Sequence, residues 1–260
     1  MNTNTQTTYQ DWQFWIDRGG TFTDIVALSP AGQVITRKLL SENPEHYPDA
    51  ALEGIRQILG LNALESIPGD LLGSVKMGTT IATNALLERK GERVALVITK
   101  GFADALRIGY QNRPHLFELN IRLPEMLYET VIEAHERVRA DGEILSVLDE
   151  IVLKASLTDA FEDGIRAVAI VFLHGYRFHQ HEKMAAEVAR QIGFTQISLS
   201  HEASPLMKLV SRGDTTVMDA YLSPILHRYI AGITGAINTQ DDAQLMFMRS
   251  SGGLSNARMF

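Results

Sequence analysis

The apolar positions change their period along the chain, and the change sorts it into two textures. Residues 13–17, 23–28 and 34–39 are short runs of large apolar and β-branched side chains, separated by Arg18-Gly19-Gly20-Thr21 and by Pro30-Ala31-Gly32. Short strands joined by tight turns predict an antiparallel meander. Pro48 then opens a helical spacing of Ala51, Leu52, Ile55, Ile58 and Leu59 that stops at Gly60. Beyond it strand and helix alternate, with strands expected at 75–77, 94–99, 130–138, 167–173, 196–199 and 244–249. Helices are expected at 80–89, 150–163, 181–192 and from about 215 to 237. Residues 111–124 carry two prolines and no period, and read as an ordered loop. A meander followed by βαβ units predicts an α/β domain with a mixed sheet.

Composition narrows the classes. At 260 residues and 45% apolar content the chain can bury a substantial core, as one large or two modest domains. A formal net charge of -7 argues against a nucleic-acid surface, which needs clustered Lys and Arg. The chain has no cysteine, which excludes disulfides, thiolate metal sites and a Cys nucleophile and agrees with a reducing cytoplasm. Residues 1–12 are polar and Thr/Gln-rich, without the basic start and apolar run of a signal peptide, and are expected to form a disordered tail. The greasiest stretch, 167–173, is strand-sized, so no membrane association is expected and the protein should be soluble.

The stretch richest in chemistry is Asp17-Arg18-Gly19-Gly20-Thr21-Phe22-Thr23-Asp24. Paired glycines let backbone approach a ligand and tolerate positive φ. Their N–H groups, with the hydroxyls of Thr21 and Thr23, form a cradle for anionic oxygens. A carboxylate at Asp17 would repel a phosphate held there unless Mg²⁺ lies between them, directly or through water. The plainer alternative is a Gly-Gly hairpin with Asp17 bonded to its own loop. Gly78-Thr79-Thr80-Ile81-Ala82-Thr83-Asn84 lies at a strand-to-helix junction, whose free N–H groups suit a carboxylate or phosphate. Simple N-capping by Thr79 or Thr80, worth about 1 kcal/mol, explains it equally well.

Residues 174–182 concentrate three of the eight histidines, His174, His179 and His181. Their spacing is not that of a helical metal pair, and a structural role at a strand end and helix start is favoured. Before the long helix, Arg212 could clamp a carboxylate and Asp214 could cap the helix, the cap being the safer reading. No Ser–His–Asp arrangement is readable. The chain ends six residues after Leu254, just past a Gly-Gly turn that would ordinarily deliver it into another element, so the domain is expected to be unfinished.

Seven blocks stand out: IDRGGTFTDIVA (16–27), KLLSENP (38–44), MGTTIATNALLERKGERVAL (77–96), QNRP (111–114), LYETVIEAHERV (127–138), SRGDTTVMDAYLSPIL (211–226) and MRSSGGL (248–254). Together they resemble the hydantoinase/oxoprolinase family, in particular its ATP-dependent 5-oxoprolinases. The resemblance is colinear from Phe14 onward and implies an actin-like or sugar-kinase-like (ribonuclease-H-like) ATPase architecture, present here only up to its second half. It implies an N-terminal family domain over 13–200 and the incomplete start of the hydantoinase A domain over 201–260. It implies ATP and Mg²⁺ as cofactors and the cleavage of 5-oxo-L-proline to L-glutamate. In that scheme Asp17 is catalytic and metal-binding, while Arg18, Gly19, Gly20, Thr21 and Thr23 hold nucleotide. Gly78, Thr79, Thr80, Asn84 and Arg113 line the substrate side. From its chemistry, Arg113 is expected either to pair the substrate carboxylate through its fork of donors or to pin its proline-flanked loop to a neighbouring acid. The expected partners are a small cyclic amide and either further copies of the chain or a missing C-terminal part. N-methylhydantoinase-like or acetone-carboxylase-like chemistry, and a non-catalytic fragment completed in trans, stay open.

Overall fold

The computed structural model describes residues 11–63, 65–111, 117–238 and 245–257, in two compact units. Unit 1 comprises Met1–Arg89 and Ile225–Phe260, and unit 2 comprises Lys90–Pro224. The mixed sheet expected from the sequence is present as a six-stranded sheet in unit 1, and the described residues also form a four-stranded sheet in unit 2 and two two-stranded ones. Arg113 and most of the expected tail lie outside the described residues; Trp12, expected in that tail, is the first residue of β1.

In unit 1 the meander is β1 (Trp12–Arg18), β2 (Phe22–Leu28) and β3 (Val34–Leu40). Helix α1 (Ala50–Leu59) follows; its N-cap is Asp49, whose carboxylate accepts from the N–H groups of Ala51 and Leu52. Pro48 therefore precedes the cap instead of sitting in the first turn. Gly60, at φ 71°, ends α1 in the left-handed conformation that glycine adopts without strain. A short β4 (Ile67–Pro68), then β5 (Leu72–Thr79) and α2 (Ile81–Leu87), complete the first stretch of this unit.

Unit 2 contains β6 (Val94–Thr99), α3 (Ala105–Ile108), β7 (Thr130–Ala134), β8 (Arg137–Val138), β9 (Ile144–Ser146), α4 (Glu150–Glu162) and β10 (Ala167–Val171). It continues through α5 (Gln180–Ile192), β11 (Gln196–Leu199), α6 (Ser200–Ala203) and the first part of α7 (Leu209–Ala236). The chain returns to unit 1 with β12 (Ile237–Asn238), β13 (Leu245–Met248) and β14 (Leu254–Asn256).

The unit 1 sheet has the order β14-β13-β5-β1-β2-β3. β1, β2 and β3 pair antiparallel, while β5 runs parallel to β1 and β13 parallel to β5. Three antiparallel strands followed by two parallel to the first is the ribonuclease-H-like order of actin-like ATPases, which the sequence resemblance implies. One face of this sheet is closed by a core of Phe14, Ile16, Ile25, Ile55, Met77 and Phe247, joined by Ile230 and Ile233. Unit 2 holds a four-stranded, wholly parallel sheet ordered β11-β10-β6-β7, and β6 and β10 are buried along their whole length. Such continuous apolar runs belong to parallel strands covered on both faces.

Two of the departures from the expected boundaries have a cause in side-chain packing. α7 begins at Leu209, six residues before the expected start, because Gly213 is a packing position and not a turn. A Cβ there would fall 2.8 Å from Leu106 Cδ1. The run read as one strand over 130–138 breaks at His135–Glu136, where Glu136 turns inward, and Arg137–Val138 pairs instead with β9.

Candidate functional site: the loop after the first strand

Strand alternation sends Phe14 and Ile16 into the core and leaves Trp15 and Asp17 exposed on the opposite face. Asp17 stands directly across from Asp24 on β2 and beside Gly78 on β5. Asp24 is neutralised by Lys38, whose ammonium reaches both its oxygens at 2.8 and 3.0 Å. Asp17 makes no hydrogen bond or ion pair with any described residue. Of two facing carboxylates, one is spent and the other is available to a ligand.

The glycines that follow are needed for space. Both keep negative or extended backbone angles, so the positive φ expected of them is not used. A Cβ on Gly19 would come within 3.0 Å of the Phe22 carbonyl, the same oxygen that accepts from Gly19 N–H at 3.0 Å. A Cβ on Gly20 would meet Asn84 Nδ2 at 2.9 Å. Among the described residues the Gly20 and Thr21 N–H groups have no acceptor, and Gly20 and Thr21 are exposed. Gly78 is buried beside Asp17; a Cβ there would lie 3.6 Å from Asp17 Oδ1 and 3.1 Å from Met248 Cε.

Arg18 and Thr23 point the other way. The Arg18 guanidinium lies 3.6 Å from Asp49 and over the ring of Tyr229 at 5.3 Å. Thr23 is fully buried, with its hydroxyl 3.0 Å from Ser41 Oγ. Their side chains are engaged on the α1 face, so only the backbone of Arg18 is near the loop's open side.

At the second motif, Thr79 Oγ1 accepts from Ile81 N–H at 3.2 Å, while Thr80, the N-cap residue of α2, makes no side-chain capping bond. Thr80 donates through both its N–H and its hydroxyl to the Arg18 carbonyl, at 3.1 and 3.3 Å. Asn84 Nδ2 donates to the Thr80 hydroxyl at 3.3 Å. Gly78, Thr79, Thr80 and Asn84 are therefore gathered against the Asp17–Thr21 loop, stitched to it through one carbonyl. Of the predicted site residues, Arg113 alone falls outside the described chain. Sequence reasoning passed over Ser41, which bonds the loop several times; its position within KLLSENP was the available signal.

The motifs assigned to unit 2 prove structural. Arg212 is fully buried and donates to the carbonyls of Phe172, Leu173, Leu206 and Met207 and to Ser200 Oγ, so it has no free fork for a ligand carboxylate. Asp214 lies in the second turn of α7 and does not cap it. His181 Nδ1 bonds Glu136 at 2.8 Å, and His179 bonds the Gly175 carbonyl while stacking on His201. Among the described residues no group of three or more His, Asp or Glu is placed to hold a metal ion.

Comparison with known proteins now bears on this geometry. The family model described as "Hydantoinase/oxoprolinase N-terminal region" matches residues 13–193, and that described as "Hydantoinase/oxoprolinase" matches 212–260. The chain belongs to the hydantoinase/oxoprolinase family. It is 44% identical to the 5-oxoprolinase of Dictyostelium discoideum over 93% of its own length, and 40% identical to that of Saccharomyces cerevisiae over 94%. It spans 22% of the length of each of these curated relatives. The crystal structure of the ATP-dependent caprolactamase from Pseudomonas jessenii superimposes with a TM-score of 0.77 at 31% identity, covering 94% of this chain and 36% of that one. The glycine loop, the Gly78–Asn84 junction and Ser41 all fall inside the matched family region.

Proposed function

We propose that this chain is the N-terminal part of an ATP-dependent amidohydrolase that opens 5-oxo-L-proline to L-glutamate, and that it supplies the first phosphate loop. The observation that carries this reading is the free, exposed carboxylate of Asp17 beside two unspent backbone N–H groups, in a chain 40–44% identical to 5-oxoprolinases. The cyclic-amide class has a second support, since the structural relative is named for a lactam substrate. The division into a first domain over 13–200 and a second beginning at 201, and a cytoplasmic location, belong to the same reading.

ATP supplies the phosphoryl group that turns the oxygen of an unreactive amide into a leaving group. The residues present fit such a ligand. Gly19 and Gly20 offer backbone without side chains in the way, and the Gly20 and Thr21 N–H groups would donate to phosphate oxygens. Asp17 would hold Mg²⁺ and so turn a carboxylate that repels phosphate into one that orients it. Thr21 adds an exposed hydroxyl. On the substrate side, Gly78, Thr79, Thr80 and Asn84 hold position against the loop, and Arg113 would pair the substrate carboxylate. The rest of the site would come from the C-terminal remainder of the polypeptide or from further copies of the chain.

The test is substrate-dependent ATP turnover in the complete enzyme carrying Asp17→Ala. An exposed side chain without partners costs little stability to remove, so the fold should persist while kcat falls by roughly a hundredfold or more. Unchanged turnover at unchanged stability would remove Asp17 from the site. Wild-type turnover driven by another cyclic amide, and not by 5-oxoproline, would keep the loop and replace the substrate.

A further inference from the structure

Resting on that reading of the loop, we infer that Ser41 is its positioning residue, and that it acts by aiming the Gly20 N–H at the ligand side. Ser41 follows β3 and is buried to 3% exposure. Every polar group it owns is spent on the loop. Its N–H donates to the Thr21 carbonyl at 2.9 Å, and its hydroxyl donates to the Gly19 carbonyl at 2.7 Å. With that single hydrogen committed, the Thr23 hydroxyl is the donor in the 3.0 Å contact between the two side chains. Arg18 Nη2 reaches the Ser41 carbonyl at 3.5 Å.

The consequence follows from peptide geometry. The Gly19 carbonyl and the Gly20 N–H belong to one planar trans unit, so they point in opposite directions. Holding the carbonyl inward on Ser41 turns the N–H outward, to the side where Gly20 is exposed and its N–H has no acceptor among the described residues. Fixing the Thr21 carbonyl limits the next peptide but one in the same way. The loop's own backbone contributes one bond, from Gly19 N–H to the Phe22 carbonyl, and glycines are the residues least able to hold a conformation unaided. Ser41 touches no ligand in this scheme; it acts through the backbone it orients.

The test compares Ser41→Ala and Ser41→Thr with Asp17→Ala in the complete enzyme. Ser41→Ala should lower kcat roughly ten- to a hundredfold, the scale of a misplaced catalytic contact, and leave KM for the cyclic amide within twofold. Hydrogen exchange read by mass spectrometry should quicken in the peptide spanning residues 19–23. Ser41→Thr, which keeps the hydroxyl, should recover most of the kcat. A purely structural serine would lower the melting temperature and leave kcat per folded molecule untouched. Should Ser41→Ala fold poorly, Ser41→Cys carries the same test with the same expected direction, since a thiol of similar size is a weak donor. Wild-type kcat in a folded Ser41 variant, with Asp17→Ala inactive, overturns the inference and spares the loop. Wild-type kcat in both variants overturns the phosphate-loop reading itself.

Discussion

Arg212→Met should unfold unit 2 at a markedly lower temperature without touching the reacting groups. The arginine is fully buried, and its guanidinium donates five hydrogen bonds: to Phe172 O at 2.5 Å, Leu206 O at 2.7 Å, Ser200 Oγ at 2.9 Å, Met207 O at 3.1 Å and Leu173 O at 3.2 Å. Behind Ser200 lies Glu182, also fully buried, which accepts from the Ser200 hydroxyl, from Phe172 N–H and from the N–H and Nδ1 of His201. Burial pulls the Arg212 guanidinium below its ordinary value, and the nearby Glu182 and Tyr176 oppose that shift. Methionine fills much of the volume but makes none of the bonds, and it leaves the Ser200 hydroxyl and four carbonyls without this donor. A buried acceptor left unpaired costs about 1–3 kcal/mol, so several together cost about 3 kcal/mol or more. In a unit of this size that lowers the melting temperature by roughly 10 °C.

Differential scanning calorimetry of the variant and the parent measures this directly. Arg212→Lys is the informative control, because it keeps the charge but cannot span acceptors spread over two segments, so it should recover only part of the loss. A shift below about 2 °C for Arg212→Met would refute the reasoning. It would mean that the backbone carbonyls find other donors and that Arg212 is free for another role, such as the carboxylate clamp its motif first implies.

Two further outcomes follow from packing and titration. Gly91→Ala places a Cβ 1.9 Å from Cε1 of the buried Tyr221 ring, so thermal denaturation should show a loss of about 1–3 kcal/mol; an unchanged melting temperature would mean that the ring moves freely aside. Burial, then Asp49, holds the Tyr229 phenol above its ordinary range, with Arg18 opposing, and its hydroxyl has no hydrogen-bond partner among the described residues. The unfolded chain therefore ionises this tyrosine first, so the stability it contributes is complete below about pH 10 and is lost as the pH rises from there toward the folded value. Tyr229→Phe should flatten that alkaline decline in chemical-denaturation titrations; an identical slope would remove Tyr229 as its source.

What the sequence disclosed and what it hid divide along one physical line. Local signals placed the meander, α1 and β11 within a residue or two, because alternation, the stop at Gly60 and a compact apolar run are written in neighbouring residues. Signals that depend on a distant partner misled. Gly213 looks like a turn until Leu106 is set against it, and Glu136 looks like one more residue of an alternating strand until Thr99 and His181 draw it inward. The motif around Asp17 shows the same division within a few residues. Asp17 and Arg18 look equally functional as adjacent polar letters, yet they sit at the end of one strand, where successive side chains face opposite ways. Ile16 is buried, so Asp17 must face out, and Arg18 must return to the α1 face, where Asp49 and Tyr229 meet it. The same parity from Ile25 buries Thr23 on the α1 face and turns Asp24 outward beside Asp17. Asp17 could thus have been separated from Arg18 and Thr23 by counting alone. Ser41 could not, because its role rests on a bond to Gly19, 22 residues earlier, that no period announces.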